Sequence, residues 1–379
     1  MKYFFSAPGR TELGGNHTDH QHGRVLAAAV DLDARAAVEL NGSDVIRVRS
    51  EGYAPCEIRL FELEKRADEV NTTASLVRGV AARFKALGAS LKGFDMDVSS
   101  SVPAGSGLSS SAAFEVLLGT VMNELFYGGR ADATEIAQTG QWAENEYFGK
   151  PCGLMDQMAS SWGGVVGIDF ADPAAPKVEH LAIDFEAEGY ALCIIDSGAG
   201  HEDLTDEYAA VPADMKAVAG FFGKPVLREV PEAEFLSALP RLRDAGFGDR
   251  AILRAMHFYG ENERVSRQLE ALSRGDFEAF LALVRESGRS SWQLLQNVIP
   301  AGAKAHQELA FALAYAERLL DGAGAVRVHG GGFAGTIQAY VPLAMLGSFK
   351  ERTESVLGSG SCHVLHVRAE GGVLVRTEG

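Results

Sequence analysis

The chain has 379 residues, 46% hydrophobic and 23% charged, proportions that suit a globular enzyme and exclude a disordered tail or a fibrous protein. Its 35 basic and 51 acidic residues give a formal net charge of −16, which disfavours nucleic acid and anionic membranes as partners. No stretch reaches the roughly 18–20 apolar residues of a membrane span. The four cysteines are scattered and fit reduced thiols better than a set of disulfides. We therefore expect a cytoplasmic protein.

Hydrophobic periodicity predicts alternating strands and helices in the first half of the chain. Strands are predicted at 25–30, 34–40 and 45–50, with turns at 31–33 and 41–42 between them. A helix is predicted from Ala74, because four apolar residues from Leu76 to Leu87 recur at helical spacing. The remaining elements of this half are a strand at 94–100, helices at about 109–126 and 134–148, and strands at 162–170 and 190–198.

Helices dominate the middle of the second half, and strands return near its end. The predicted helices lie at about 204–221, 249–273, 277–287 and 303–319, and the strands at 326–330, 336–341 and 362–367. Strands that return this late indicate two α+β domains rather than one. We place the domains at 1–180 and 181–379.

A glycine- and serine-rich loop at 100–118 follows a predicted strand and opens a helix. Gly105 and Gly107 lack Cβ atoms, and the serines at 109–111 fall in the first helical turn, where free backbone N–H groups bind anions. The loop lacks the Lys-Ser/Thr pair of a Walker A motif and the third glycine of a dinucleotide-binding fingerprint. It therefore indicates a different phosphate cradle, or else only a turn with serine caps.

Polar side chains are concentrated at 7–26, a glycine-rich segment that we interpret as a turn region. They are Arg10, Glu12, Asn16, His17, Asp19, His20 and His22. So many donors and acceptors suit a polyhydroxylated ligand, whose hydroxyls need partners when they leave water. The alternatives are a solvated surface loop, or a metal site made by the three histidines with Asp19.

Six segments, in order, resemble the galactokinases of the GHMP small-molecule kinase superfamily. They are GRTELGGNHTDH at 9–20, the serine loop, PCGLMDQMAS at 151–160, SGAGHEDLTDEYAA at 197–210, RAMHFYGENERV at 254–265 and GGGFAG at 330–335. The resemblance implies an α+β, two-domain GHMP kinase fold with the active site in the cleft between the domains. It also implies transfer of the ATP γ-phosphate to the anomeric hydroxyl of galactose.

The resemblance assigns the catalytic aspartate to Asp156 and its partner arginine to Arg10. A carboxylate at hydrogen-bond distance can take the proton of a sugar hydroxyl as the new bond forms, and a neighbouring arginine keeps that carboxylate ionised. Asp156 could instead be a helix cap or a member of a buried ion pair.

The resemblance also implies ATP as cosubstrate and Mg²⁺ as its counter-ion. The matching ATP-binding residues are Pro103, Gly105, Ser106, Gly107, Leu108, Ser109, Ser110 and Ser111. The matching Mg²⁺ ligands are Ser111 and Glu144, although Glu144 could also be a solvated carboxylate paired with a basic residue.

For the sugar, the matching positions are Asn16, His17, Asp19, Gly153, Asp156 and Tyr208. Tyr208 could alternatively be an aromatic residue of a helix core. The sequence departs from the family signature at four positions. Asn16 stands in place of Glu, Glu12 of Asn, His20 of Tyr, and Ala334 of a glycine in the third motif. The exchange at Asn16 leaves the substituent at C6 of the sugar open.

Three functions thus remain to be distinguished: a galactokinase, a sibling kinase for galacturonate or N-acetylgalactosamine, and a catalytically silent sensor of galactose and ATP. A purely structural role is a further hypothesis, but it does not explain the serine loop. The expected partners are galactose and ATP, with no nucleic acid and no membrane, and the expected state is a monomer or at most a weak dimer.

Overall fold

A computed structural model describes residues 1–103, 107–200 and 204–379. The strands of these residues are β1 Lys2–Gly14, β2 Arg24–Leu40, β3 Val45–Ser50, β4 Cys56–Arg59, β5 Phe94–Ser100, β6 Val165–Asp169, β7 Lys177–Leu181, β8 Tyr190–Asp196, β9 Ala325–Val328, β10 Thr336–Pro342, β11 Cys362–Leu365 and β12 Val373–Glu378. Their α-helices are α1 Thr73–Ala86, α2 Ser110–Met122, α3 Ala133–Ala143, α4 Met155–Trp162, α5 Thr205–Phe221, α6 Glu232–Ser237, α7 Leu239–Asp244, α8 Asp249–Ser273, α9 Phe277–Ser290, α10 Glu308–Leu320 and α11 Leu346–Leu357.

Two sheets organise the fold. The first has the order β12-β1-β2-β5-β3-β4, with β6 added to β2 and β7 to β6, and only the β3–β5 pair is parallel. The second sheet is antiparallel throughout and has the order β11-β8-β10-β9. The molecule is therefore a mixed α+β protein with two sheet-centred halves.

The two sheets meet where β9 and β10 approach β1. Arg327 of β9 pairs with Glu12 of β1, and both side chains are buried. Nε2 of Gln338 on β10 donates to Oγ1 of Thr11 at 2.7 Å and to the carbonyl of Glu12 at 2.9 Å. These contacts bring the glycine-rich turn between β9 and β10 close to the polar residues of β1.

Local sequence signals explain several helix boundaries. The hydroxyl of Thr72 accepts from the N–H of Ser75 at the start of α1, and Asp132 accepts from Glu135 at the start of α3. Wide helical turns at Asn123–Tyr127, Glu144–Phe148 and Ser291–Leu295 continue α2, α3 and α9. Gly163, at φ 73°, ends α4.

Most predicted elements are present, but the predicted turn at 31–33 is wrong. β2 runs unbroken from Arg24 to Leu40 and changes its partner from β6 to β5 across this point. The carboxylate of Asp33 stays inside the sheet because it accepts from Ser6 Oγ at 2.6 Å and pairs with Arg368. Acidic residues that usually mark a turn are here satisfied within a strand.

Other elements also differ from the prediction. β1 extends to Gly14, so the polar residues at 7–14 lie in a strand rather than in the expected turn region. α10 begins at Glu308 instead of 303, because the chain first turns where the N–H of Ala303 bonds to the carbonyl of Pro300. The short helix α4 was not predicted. No helix in the described part of the chain is long and apolar enough to cross a membrane.

Candidate functional site

Arg10 and Asp156 form a bidentate ion pair between β1 and α4. Asp156 lies in the first turn of α4. Nε of Arg10 donates to Oδ1 of Asp156 and Nη2 donates to Oδ2, both at 2.7 Å. Paired charge-assisted bonds of this kind fix both side chains in a single geometry.

Asp156 is held in its ionised form. Burial by itself would raise the pKa of Asp156, but the charge of Arg10 and hydrogen bonds from Arg10 and Ser109 outweigh it and hold the pKa below 3.8. Burial opposes the charge on Arg10 as well, yet Asp156 leaves the pKa of Arg10 raised. The carboxylate keeps 31% of its side-chain surface exposed, whereas Arg10 keeps 8%, so a ligand would meet the carboxylate first.

The serine loop also contacts this ion pair. Oγ of Ser109 donates to Oδ2 of Asp156 at 2.7 Å. Ser109 has a φ of 58°, a left-handed conformation that is unfavourable for a residue with a side chain. Arg10 holds the same stretch, since its backbone N–H bonds to the carbonyl of Leu108 at 3.0 Å and its Nη1 donates to the carbonyl of Gly107. The end of the loop is therefore fixed to the catalytic candidates.

Gly107 rests on residues from the second half of the chain. It has a φ of 74°, and a Cβ atom there would lie 3.0 Å from Nδ1 of His329 and 3.1 Å from Oγ1 of Thr336. His329 is buried, and its two ring nitrogens lie 3.0 Å from Oγ1 of Thr11 and 2.9 Å from Oγ1 of Thr336. The loop thus lies against both halves of the molecule.

A cavity of about 450 Å³ adjoins the start of α2. Pro103, Ser110 and Ser111 line it on the side of the serine loop. Its apolar and aromatic lining comes from Phe114 of α2 and, in other parts of the chain, from Tyr53, Leu76, Val98 and Phe148. Its size and mixed lining suit a small organic ligand with an aromatic part.

Asp19 and Gly153 lie in close contact. Asp19 opens a short helical turn after β1, and its Oδ1 accepts from the N–H of His20 at 2.8 Å. A Cβ atom on Gly153 would lie 1.8 Å from Oδ2 of Asp19. Only glycine at 153 leaves the Asp19 carboxylate where it is.

The ionisation of Asp19 differs from that of Asp156. Burial raises the pKa of Asp19, the charge of Asp156 raises it further, and it reaches about 6 although the His20 N–H and Arg10 act in the opposite direction. Two carboxylates with different proton affinities therefore lie near each other, as at many catalytic sites.

Asn16 is completely buried, and both ends of its amide have partners within the protein. Its Nδ2 donates to Oε1 of Glu12 at 3.2 Å and to the carbonyl of Gly330 at 2.7 Å. Its Oδ1 accepts from Nδ2 of Asn297 at 2.9 Å. The amide thus joins β1 to the glycine-rich turn that precedes β10.

His17 and Tyr208 contact the same glycine-rich turn. Nε2 of His17 lies 3.0 Å from the carbonyl of Gly331, and the hydroxyl of Tyr208 donates to the carbonyl of Gly332 at 2.9 Å. The Tyr208 ring is half-buried and packs edge-on against Phe333. Tyr208 therefore both packs at the start of α5 and reaches the turn.

Glu144 lies in a cluster formed by α2, α4 and the turn after α3. Nε2 of Gln157 donates to Oε2 of Glu144 at 3.1 Å and to Oε2 of Glu115 at 2.9 Å. Nζ of Lys150 lies 3.4 Å from Oε1 of Glu144. Both carboxylates are buried, so the interpretation of Glu144 as solvated is wrong, although its pairing with a lysine is confirmed. Among the described residues, Oε1 of Glu115 has no hydrogen-bond partner, and burial and the charge of Glu144 raise the pKa of Glu115.

The solvated-loop interpretation of the N-terminal polar segment is also wrong. Arg10, Glu12 and Asn16 are buried. The rings of His17 and His20 are 5.6 Å apart, but no group of three His, Cys, Asp or Glu side chains in the described ranges is placed to hold a metal ion. Gly105 and Ser106 lie outside the described residues.

Several residues of the site were not predicted from the sequence. They are Lys150, Glu115, Gln157, His329 and the aromatic lining of the 450 Å³ cavity. Gln157 directly follows Asp156 in the matched PCGLMDQMAS segment, which was a usable signal. The cavity residues come from elements far apart in the chain, so no local pattern could identify them.

Known families and structures match most of the chain. The family described as GHMP kinases N terminal domain matches residues 75–164, and the galactokinase galactose-binding signature matches residues 2–40. A galactokinase from Streptomyces coelicolor is 33% identical over 359 residues, which cover 94% of this chain and 88% of that protein.

Two solved structures show the same fold. The Lactococcus lactis galactokinase complexed with galactose has a TM-score of 0.84 at 24% identity and covers 99% of this chain and 95% of that one. The Methanococcus jannaschii mevalonate kinase has a TM-score of 0.67 at 16% identity and covers 97% and 98%. The two-domain GHMP kinase architecture expected from the sequence is thereby confirmed.

Proposed function

The chain belongs to the galactokinase family of the GHMP kinases, and we propose that it transfers the γ-phosphoryl group of ATP to the C1 hydroxyl of galactose, giving galactose 1-phosphate and ADP. The observation that carries this proposal is the Arg10–Asp156 ion pair with Ser109 attached to it. It sets an ionised, partly exposed carboxylate beside the end of the serine loop.

Asp156 accepts a hydrogen bond from the C1 hydroxyl and orients its oxygen towards the γ-phosphorus. Because the pKa of Asp156 is lowered, the carboxylate is a weak base towards a free alcohol. The proton therefore passes to Asp156 only as the new P–O bond forms and the hydroxyl becomes acidic. Arg10 holds Asp156 in place and offsets negative charge near the transferred group.

ATP lies along the serine loop, with its base in the 450 Å³ cavity. The phosphate-binding residues remain those expected from the sequence: Pro103, Gly105, Ser106, Gly107, Leu108, Ser109, Ser110 and Ser111. The N–H groups in the first turn of a helix have no partner within the helix, so those at the start of α2 suit phosphate oxygens. Replacing Phe148 by Ala is expected to weaken ATP binding without changing sugar binding, measured by calorimetry with each ligand alone.

Ser111 and Glu144 would hold Mg²⁺, which shields the β- and γ-phosphate charges when bound. The residues fit such an ion, because two buried carboxylates share the amide of Gln157 and one oxygen of Glu115 finds no partner in the described part of the chain. Gln157 and Lys150 keep the Glu144 carboxylate in a fixed orientation. Electron paramagnetic resonance of Mn²⁺ with ADP should show weaker binding to the Glu144→Gln variant than to the parent.

The sugar lies near Asp19, and His17, Asn16, Gly153 and Tyr208 shape its surroundings. Asp19 accepts from a sugar hydroxyl, and Gly153 leaves room for that carboxylate. Asn16 is buried, so it acts by fixing the turn that His17 and Tyr208 contact. Because position 16 lacks a carboxylate, galacturonate and N-acetylgalactosamine remain candidate substrates and are tested beside galactose.

The deciding experiment measures ADP release from Mg-ATP with galactose, glucose, N-acetylgalactosamine and galacturonate. Turnover on galactose with little on the others supports the proposal. A preference for a modified sugar assigns the chain to a sibling kinase. If galactose and ATP bind but no sugar is phosphorylated, the chain is a sensor. Asn16→Glu tests position 16 in the same assay, and unchanged sugar preference would remove Asn16 from the site.

A further inference from the structure

We propose that His257 and Glu261 on α8 are positioning residues that hold the backbone of the Gly15–Asn16 turn and thereby set the sugar site. The inference rests on the proposed function, because it concerns the residues that would bind the sugar. The segment 254–265 was recognised by resemblance, but neither the sequence nor the mechanism above gives it a role. The two residues are four apart and therefore lie on one face of α8.

Glu261 accepts hydrogen bonds from two consecutive backbone N–H groups of the turn. Its Oε1 lies 3.1 Å from the N–H nitrogen of Gly15 and 3.4 Å from that of Asn16. The hydroxyl of Ser287 donates to the same oxygen at 2.7 Å, and Arg264 pairs with the other one. Glu261 has no exposed surface, so its charge depends entirely on these partners.

His257 binds the same turn through the carbonyl of Asn16. Its Nε2 lies 2.9 Å from that oxygen, and its Nδ1 lies 2.8 Å from Oγ of Ser290. A carbonyl only accepts, so Nε2 must carry the hydrogen, and the neutral ring accepts from Ser290 through Nδ1. Burial lowers the pKa of His257 to about 4, in keeping with a neutral ring.

The turn needs such external support because its own conformation is unfavourable. Gly15 has a φ of 89° and His17 a φ of 57°, and the second is a left-handed residue with a side chain. A Cβ atom on Gly15 would lie 2.4 Å from the carbonyl of Arg24. With Asn16 held at both its N–H and its carbonyl, the chain has little freedom before it reaches Asp19.

Helix α8 also contacts both ends of the segment 13–24. Nε2 of Gln268 lies 3.4 Å from the carbonyl of Leu13, and Oδ1 of Asn262 accepts from the N–H of Arg24 at 2.8 Å. Four side chains of one helix, which lies in the second half of the chain, therefore contact the segment 13–24. The sugar site follows the position of α8.

A positioning role and a purely structural one predict different kinetics. If His257 and Glu261 only stabilise the fold, their variants lose stability while both substrates keep their KM. If they position the sugar loop, the KM for galactose rises by about 10- to 100-fold, as expected for one lost buried hydrogen bond to a charged group, while the KM for ATP stays within about twofold.

The test uses Glu261→Gln, His257→Leu and His257→Gln, with Glu263→Gln as the matched control. Gln at 257 can still donate to the Asn16 carbonyl and should restore most of the galactose affinity that Leu loses. Glu263 lies on the exposed face of the same helix, and its replacement should change neither KM. Equal galactose KM values in Glu261→Gln and the parent, with both folded, would overturn the proposal.

Hydrogen–deuterium exchange gives a readout that does not need catalysis or a folded variant. In the parent protein without ligands, the amides of Gly15 and Asn16 should exchange at least about tenfold more slowly than unbonded loop amides, because they donate to a buried carboxylate. Rapid exchange at these two amides would refute the proposal that Glu261 holds the Gly15–Asn16 turn, even if every variant failed to fold. If the parent phosphorylates no sugar, the proposed function fails, whereas slow exchange still supports the positioning.

Discussion

Gly153 and Asp19 are so close that a methyl group on Gly153 would collide with the Asp19 carboxylate. A Cβ atom at Gly153 would lie 1.8 Å from Oδ2 of Asp19, and it would reach the Asp19 carbon Cγ at 2.8 Å. The segment 151–160 thus supplies two different things to the site. It provides a carboxylate at Asp156 and an absence of side chain three residues earlier.

Gly153→Ala is expected to push the Asp19 carboxylate away and to raise the KM for galactose by about tenfold or more, equivalent to about 1.4 kcal/mol of binding. The KM for ATP should change by less than about twofold. Gly220→Ala is the control, since a Cβ there meets nothing within 4 Å. Unchanged galactose kinetics in the Gly153 variant would mean that Asp19 does not contact the sugar.

Asp156→Asn is expected to lower kcat by roughly 10²- to 10⁴-fold while both ligands still bind. The amide keeps the shape but can no longer take the proton of the C1 hydroxyl, and it leaves Arg10 without its counter-charge. Stopped-time ADP release and calorimetry with each ligand separate the two effects. Asp97→Asn removes the exposed partner of Arg49 as a control, and a kcat near that of the parent at position 156 would contradict the mechanism.

Ser109 allows conformational strain and hydrogen bonding to be separated. Both Ser109→Ala and Ser109→Gly lose the bond to Asp156, so the pKa of Asp156 should rise in both. The carboxylate also loses a bond that orients it, so kcat should fall to a similar extent in the two variants. Glycine relieves the left-handed φ of 58°, so the Gly variant should be more stable than the Ala variant by about 1 kcal/mol. Thermal unfolding measures the difference, and a more stable Ala variant would contradict the assigned backbone.

Asp19→Asn should stabilise the unliganded protein while it weakens galactose binding. Because the folded-state pKa of Asp19 is raised to about 6 from 3.8, its contribution to stability is complete below about pH 4 and is lost as the pH rises through 6. The variant avoids that loss, so its free energy of unfolding should exceed that of the parent by about 1–3 kcal/mol above pH 7.

The same comparison at pH 3 supplies the control for Asp19, because there the carboxyl is mostly protonated in both the folded and the unfolded protein. The parent and the variant should then have nearly the same free energy of unfolding. In the parent, galactose affinity should fall as the pH drops below about 6, where Asp19 loses its charge. A pH-independent difference in stability between parent and variant would show that the Asp19 carboxyl is not buried as described.

Hydrophobic spacing predicted the elements whose pattern is local. Helix α1 illustrates this, since Leu76, Val80 and Phe84 recur on its buried face. β2 shows the limit, because the acidic pair around residue 32 gives the signal of a turn, and only the partner exchange from β6 to β5 keeps the strand continuous. Pairing between distant strands decides this, and no local window contains that information.

For the site, the serine loop and the polar segment were visible in the residue pattern, and the resemblance named Arg10 and Asp156. The contact between Ser109 and Asp156 was not predictable, since it depends on a left-handed residue in front of α2. The burial of Asn16 was missed as well, because its partners Gly330 and Asn297 lie some 300 residues away along the chain. Hydrogen bonds between residues far apart in the chain cannot be predicted from the pattern of a single sequence.

The pairing of β12 with β1 has a consequence for the order in which the protein folds. Arg10 is synthesised well before the segment from Val373 to Glu378, so the outer edge of its strand stays open until that segment has left the ribosome. An unpaired edge strand can join with other chains, so this edge is open to misassembly in the nascent protein. We expect binding by chaperones to protect this edge until β12 has been made.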